Sequence, residues 1–280
     1  MRVFVTGAAG YIGSAVVREL MEAGHQVVGL THSDNGAAAL KKAGAQVHRG
    51  HLDDLDSLRS GAATADGIIH LAFKHDFSDF AASLASDLRA VEAMGAAVEG
   101  SGKPFITTAH ANGEASDNAV IALAKRGVRS SVIFLPPTVH GEGDKGFLPI
   151  LIQIARTTGV SAYIGDGSNR WPAVHRLDAA HLFRLALENV PAGTLLYGRA
   201  EEGVPFRDIA NAIGKHLNLP VVSVTREEAQ THFGFLGTLA ALDIPSVLPG
   251  ASEQTRKLLN WSPVQPGLIT DLDSGHYFSD

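Results

Sequence analysis

The chain has 280 residues, 45% of them apolar and 19% charged, with a formal charge of −6; this composition suits a soluble globular protein and offers no basic tract for nucleic acid. It contains no cysteine, which excludes disulfides, thiol catalysis and cysteine-ligated metal, and none of its apolar runs approaches a membrane span. The length allows one large domain, or a main domain with a smaller attachment.

Apolar runs alternate with amphipathic segments from the first residue. Residues 2–6 read as a buried strand that follows Met1 directly, leaving no room for a signal peptide, so a cytoplasmic protein is expected. A helix follows over 12–23 and ends at Gly24, then a strand over 26–30 and a helix over 35–43 ending at Gly44. Next come a short strand at 46–49, a helix at 55–62, a strand at 67–71 and a long helix from about Phe77 to Glu99. Strands at 104–108 and 129–135 flank a helix at 116–125. Such alternation implies parallel strand–helix–strand units with right-handed crossovers, and hence a doubly wound sheet.

The second half is more irregular. Helices are expected at 147–157 and 179–188, the latter with Asp178 as its N-cap, and a last strand at 194–198. Thr225 and Glu228 have capping-box spacing, and a final helix from Ser252 stops before Trp261-Ser262-Pro263. The expected organisation is a Rossmann-like α/β domain over residues 1–165, its sheet completed by about 173–198, with a smaller substrate-binding cap over 199–280.

The loop Gly7-Ala8-Ala9-Gly10-Tyr11-Ile12-Gly13 lies between the first strand and first helix, the context a dinucleotide-binding turn requires. Gly7 permits the tight turn, Gly10 lets a pyrophosphate approach the backbone, and Gly13 lets the helix pack on the strand. The helix from Ile12 then directs its positive end at the phosphates. An acid at the end of the second strand would accept hydrogen bonds from the ribose 2′-hydroxyl of NAD; here Thr31, His32 and Ser33 stand there instead, which favours NADP and leaves NAD as the alternative.

The spacing Thr6-Gly7-x-x-Gly10-x-x-Gly13 resembles the short-chain dehydrogenase/reductase superfamily, in its extended NAD-dependent epimerase/dehydratase branch. Other stretches agree with that branch: His70-Leu71-Ala72 at the end of the fourth strand, Val139-His140-Gly141 against its Val-Tyr-Gly turn, and Ile164-Gly165-Asp166-Gly167 with Arg170 and Val174 to Asp178. Leu258 to Pro263 resembles its last helix and exit. The resemblance implies cofactor contacts from Thr6, Tyr11, Ile12, Leu71 and Ala72, and from Leu52 against adenine, although His51 replaces the usual carboxylate beside it; Lys74, just past the fourth strand, is placed to contact a phosphate.

It also implies a substrate-orienting hydroxyl, which Thr108 supplies, and a Tyr-x-x-x-Lys pair, which is absent. Gly113 stands where the Tyr belongs and Asp117 where the Lys belongs. His110, two residues after Thr108, takes the place of the branch's acid/base group, and an imidazole ordinarily titrates near neutrality. By the same resemblance His140 and Arg170 line the substrate cavity, with Trp171 as an aromatic wall. The histidines lack a carboxylate constellation at metal-ligand spacing, so no metal is expected. The expected function is an NADP-dependent oxidoreductase acting on a small carbonyl or alcohol as a homodimer, with neither nucleic acid nor membrane as partner. An epimerase or dehydratase and a non-catalytic cofactor-binding module are the alternatives.

Overall fold

The computed structural model describes residues 1–76, 78–246 and 249–279. In chain order the first elements are β1 (Arg2–Thr6), α1 (Tyr11–Glu22), β2 (Gln26–Thr31), α2 (Asp34–Lys42), β3 (Gln46–Arg49), α3 (Leu55–Ala63) and β4 (Gly67–His70). Then follow α4 (Phe80–Ala97), β5 (Pro104–Thr108), α5 (Glu114–Ala122) and β6 (Arg129–Phe134). Each matches an expected element to within a few residues. Phe77, the expected start of α4, lies outside the described residues; within them the helix begins after Asp79, whose carboxylate accepts the Ala82 N–H at 3.0 Å. Ser33 and Asp54 cap α2 and α3 in the same way, whereas α1 and α5 start at Gly10 and Gly113 with no side-chain cap.

The remaining elements are β7 (Thr138–His140), α6 (Phe147–Thr158), β8 (Ser161–Ile164), β9 (Arg170–His175), α7 (Arg176–Asn189), β10 (Thr194–Tyr197) and β11 (Glu201–Pro205). The chain ends with α8 (Phe206–Leu217), β12 (Val221–Val224), α9 (Arg226–Phe233), α10 (Gly237–Ala240), α11 (Ala251–Leu259) and α12 (Leu268–Asp273). Here the sequence missed more. Helix α8 buries Phe206, Ile209, Ala210 and Ile213 along one stripe. Pro205 precedes its first turn, where a missing N–H is harmless, and Gly214 is required inside it because a Cβ would strike the Val221 side chain. The capping box of Thr225 and Glu228 is present. Asp178 is no N-cap: α7 begins at Arg176, and the Asp178 carboxylate accepts the N–H groups of Val264 and Gln265 at 3.0 and 3.1 Å.

The chain forms two compact units. The first comprises Met1–Phe134, Ala179–Tyr197 and Thr255–Trp261, the second Leu135–Asp178, Gly198–Gln254 and Ser262–Asp280. The second unit thus begins at Leu135 and not after 165, and Thr255–Trp261 returns to the first unit from within the expected cap, while Ala179–Tyr197 lies in the 173–198 stretch expected to complete the sheet. That unit is built on a seven-stranded sheet of order β10-β6-β5-β4-β1-β2-β3, parallel at every pairing. Chain order reverses between β1 and β4, which opens a crevice at their carboxyl ends, the usual ligand position in such sheets. Phe4, Leu58, Ile68, Met94 and Phe105 fill the core on one face.

The second unit holds a three-stranded sheet, β11-β9-β7, and a parallel pair, β12-β8, around Trp171, Phe206, Phe233 and Leu268. Pro172 lies within the central strand β9, and β11 shifts register opposite it, between Glu201 and Val204. No described helix is long and apolar enough to cross a membrane.

Candidate active site

The glycine loop has the geometry its spacing demands. Gly7 has φ +66°, and a Cβ on it would lie 2.7 Å from the Ala72 nitrogen at the end of β4. A Cβ on Gly13 would collide with the Gly7 carbonyl oxygen, while Gly10 donates its N–H to that oxygen at 2.9 Å. Only Gly fits a turn this tight with a helix stacked on it. The first turn of α1 carries neither a cap nor an acid, so its positive end is left for an anion. Tyr11 and Ile12 open this turn and are half-buried.

Thr6 does something other than touch a cofactor. It is fully buried, and its Oγ1 accepts the N–H groups of Leu71 and Ala72, both at 3.2 Å. Its own hydrogen is left for His70 Nδ1 at 2.6 Å, and His70 then donates Nε2–H to Asp87 Oδ1 at 3.1 Å. Thr6 thus locks the glycine loop to the end of β4. Burial works to raise the Asp87 carboxyl, but the hydrogen bond from His70, helped by Ser116, holds it below the ordinary carboxylate range. Asp87 was not foreseen. Its signal is an acid on the buried stripe of α4, between Ser83 and Ala90.

At the adenosine end, Thr31 is buried and its Oγ1 accepts the Ser33 N–H at 3.3 Å. Ser33 caps α2 by accepting the Gly36 N–H at 3.0 Å, and His32 is exposed. Arg49, missed by sequence reasoning, ends β3 in register with Thr31. Its guanidinium donates to the His32 carbonyl at 3.3 Å and to Asp34 at 2.6 Å. Leu52 is 7% exposed and packs in the core with Phe4 and Leu30, so its expected role against adenine is replaced by a structural one. Lys74, expected to reach a phosphate, donates to Asp53 at 2.5 Å in a pair that is 42% and 45% exposed.

Thr108 ends β5, and its hydroxyl donates to the Ile133 carbonyl at 3.2 Å. His110 stacks on Phe73, with ring centroids 3.9 Å apart and planes 24° apart. Burial, opposed by the neighbouring Asp87 carboxylate, pushes its pKa down to about 4. The expectation of an imidazole titrating near neutrality therefore gives way to a neutral ring. Asp117 moves the other way, up to about 6, through burial and the neighbouring carboxylates of Asp87 and Glu114. Gly113 starts α5, and a Cβ there would lie 3.0 Å from the His110 carbonyl oxygen.

Within the second unit, Arg170 is tied to Asp243 by two guanidinium contacts of 2.9 Å. Trp171 is fully buried and donates its indole N–H to the Leu239 carbonyl at 3.1 Å, so it is a core residue and not an aromatic wall. His140 is also fully buried: Nδ1 meets Asp271 at 2.8 Å and Nε2 has no hydrogen-bond partner. Among the described residues no group of three or more His, Asp or Glu side chains is placed to hold a metal.

Residues 3–97 match the family model for the NAD dependent epimerase/dehydratase family. The chain is 47% identical over 299 aligned residues to "Uncharacterized protein C2A9.02" of Schizosaccharomyces pombe, covering 99% of this chain and all of the relative. The chain belongs to the NAD dependent epimerase/dehydratase family. It is also 26% identical to a 2-alkyl-3-oxoalkanoate reductase of Stenotrophomonas maltophilia, over 79% of this chain and 77% of that one. Its fold is similar to that of DesIV, a dTDP-glucose 4,6-dehydratase of Streptomyces venezuelae with NAD and TYD bound: TM-score 0.73, 18% identity, 99% and 96% of the two chains.

As a member of this family, the protein is an NAD(P)-dependent enzyme of the short-chain dehydrogenase/reductase type. Its residues fit that cofactor: Gly7 and Gly13 leave no room for a Cβ, and the uncapped start of α1 suits a pyrophosphate.

Proposed function

We propose that the protein is an NADP-dependent oxidoreductase that interconverts a small carbonyl compound and its alcohol. The observation that carries the cofactor preference is Arg49. The end of β2 offers no free acid, since Asp34 is paired with this guanidinium, and His32 is exposed beside it. The pair is open to solvent, with Arg49 53% and Asp34 96% exposed, so it is weakly held. A phosphate dianion would draw Arg49 away from Asp34 with a stronger, bidentate contact. Kinship to a protein named as a reductase supports the reaction type.

When bound, the nicotinamide supplies or accepts the hydride. Thr108 orients the substrate: with its hydrogen held by Ile133, its oxygen accepts the hydrogen of an alcohol. His110, neutral at pH 7, offers a ring N–H to the substrate oxygen as a hydrogen-bond donor. Asp117 is the group near this loop that exchanges protons close to neutrality. A second reading, a cofactor-binding protein without turnover, is favoured by Gly113 and Asp117 at the positions of the family's Tyr and Lys.

Titration of NADPH and NADH, followed by nicotinamide fluorescence, tests the cofactor. NADPH is expected to bind more tightly, and Arg49→Gln to weaken it about tenfold while leaving NADH nearly unchanged. Tighter NADH binding by the wild-type protein overturns the preference. Loss of the reduced-nicotinamide absorbance with aldehydes and ketones separates the first reading from the second.

A further inference from the structure

We infer that the substrate is an uncharged aryl aldehyde, ketone or alcohol, received by the ring cluster of Phe73, His75, Phe80 and His110. This deepens the proposed reaction and rests on it. Phe73 is the hub: His110 stacks on it at 3.9 Å, His75 meets it edge-on at 5.4 Å and 78°, and Phe80 at 5.7 Å and 61°. Phe73, Phe80 and His110 are half-buried and His75 is exposed, so the cluster keeps ring surface toward solvent. It stands where substrate orientation is decided, since His110 lies two residues beyond Thr108 and Phe73 three beyond the end of β4. Aromatic rings meet a further ring stacked or edge-on with a gain that a saturated ring of the same size does not receive.

The charges around the cluster select against anions. Lys74, next to Phe73, and Arg89 both lie against Asp53, at 2.5 and 3.8 Å, and Asp53 also accepts from Ser86. The carboxylates of Asp76, Asp87 and Asp117 stand on the same loop and on the two helices that follow it. Burial keeps the His110 ring neutral, so it adds no cation. A neutral aryl carbonyl meets favourable ring contacts here, whereas a carboxylate or phosphate meets repulsion.

The test measures binding of benzyl alcohol, cyclohexylmethanol and 4-(hydroxymethyl)benzoate to the NADP⁺-loaded protein by ligand-observed NMR. Benzyl alcohol is expected to bind roughly 3- to 10-fold more tightly than cyclohexylmethanol, and the benzoate more weakly than either. Phe73→Leu, which keeps the bulk and removes the ring, should reduce the benzyl advantage to under about twofold. Equal affinity for the two neutral alcohols, an advantage untouched by Phe73→Leu, or binding of neither alcohol overturns the inference. Preferential benzyl alcohol binding without NADPH oxidation by benzaldehyde overturns the proposed reaction instead and leaves the aromatic site standing.

Discussion

Each unit of the protein buries a histidine against an aspartate, and the two pairs serve different ends. In the first unit both nitrogens of His70 are occupied, by Thr6 and Asp87, and the chain of bonds fixes a loop. In the second, Asp271 accepts from His140 at 2.8 Å and from His276 at 3.0 Å, while His140 Nε2 is left without a partner. His175 stands edge-on to His140 at 5.3 Å, and burial holds its pKa below the ordinary value. The first pair passes position to the glycine loop through Thr6, whereas the second ties α12 and the residues after it to β7.

Three substitutions sharpen or break this contrast. The largest effect is expected for Asp87→Ala, which orphans the buried His70 N–H and should cost about 3 kcal/mol in urea unfolding. It should also weaken NADPH binding, because Thr6 loses its support; unchanged affinity would reduce this pair to a simple staple. Asp271→Ala should cost about 2 kcal/mol and raise amide exchange over residues 268–278 while leaving cofactor affinity intact. A loss of affinity there would remove the distinction between the pairs. Both carboxyls are held below their ordinary pKa of 3.8, so the stability each adds is present above that value and lost as pH falls through the folded-state value.

The smallest effect has the opposite sign with pH. Asp117 is raised from 3.8 to about 6, so its contribution is full below 3.8 and lost as pH rises through about 6. Asp117→Asn should therefore gain about 0.5 kcal/mol at pH 7.5 after allowance for solvent screening, and nothing at pH 4. Turnover that falls as pH rises through about 6 in the wild type, and loses that limb in the variant, would tie this carboxyl to the proton step.

The first unit was legible because its signals are local. A strand, a Gly-rich turn and a helix within the first 22 residues state their own geometry, and Ser33 and Asp54 mark helix starts. The second unit was not. β9 carries Pro172 and β11 ends in Pro205, residues that read as strand breakers, and β11 shifts register between Glu201 and Val204, which no spacing along the chain announces. The apolar stripe of α8 was present in the sequence but hidden by Pro205 and Gly214, whose fitness there depends on neighbouring segments.

By itself the sequence determined the doubly wound sheet, the glycine loop and the absence of the family's Tyr and Lys, because each depends on residues adjacent along the chain. The tertiary structure decided which of the named side chains are free to act. It put Thr6, Leu52 and Trp171 into the interior, engaged Lys74 and Arg170 with carboxylates, and brought Arg49 beside His32 from the next strand. It also reversed the protonation expected near Thr108, making His110 the neutral group and Asp117 the titrating one. Burial and the charges that share it come from segments distant in sequence, and spacing along a chain carries no record of them.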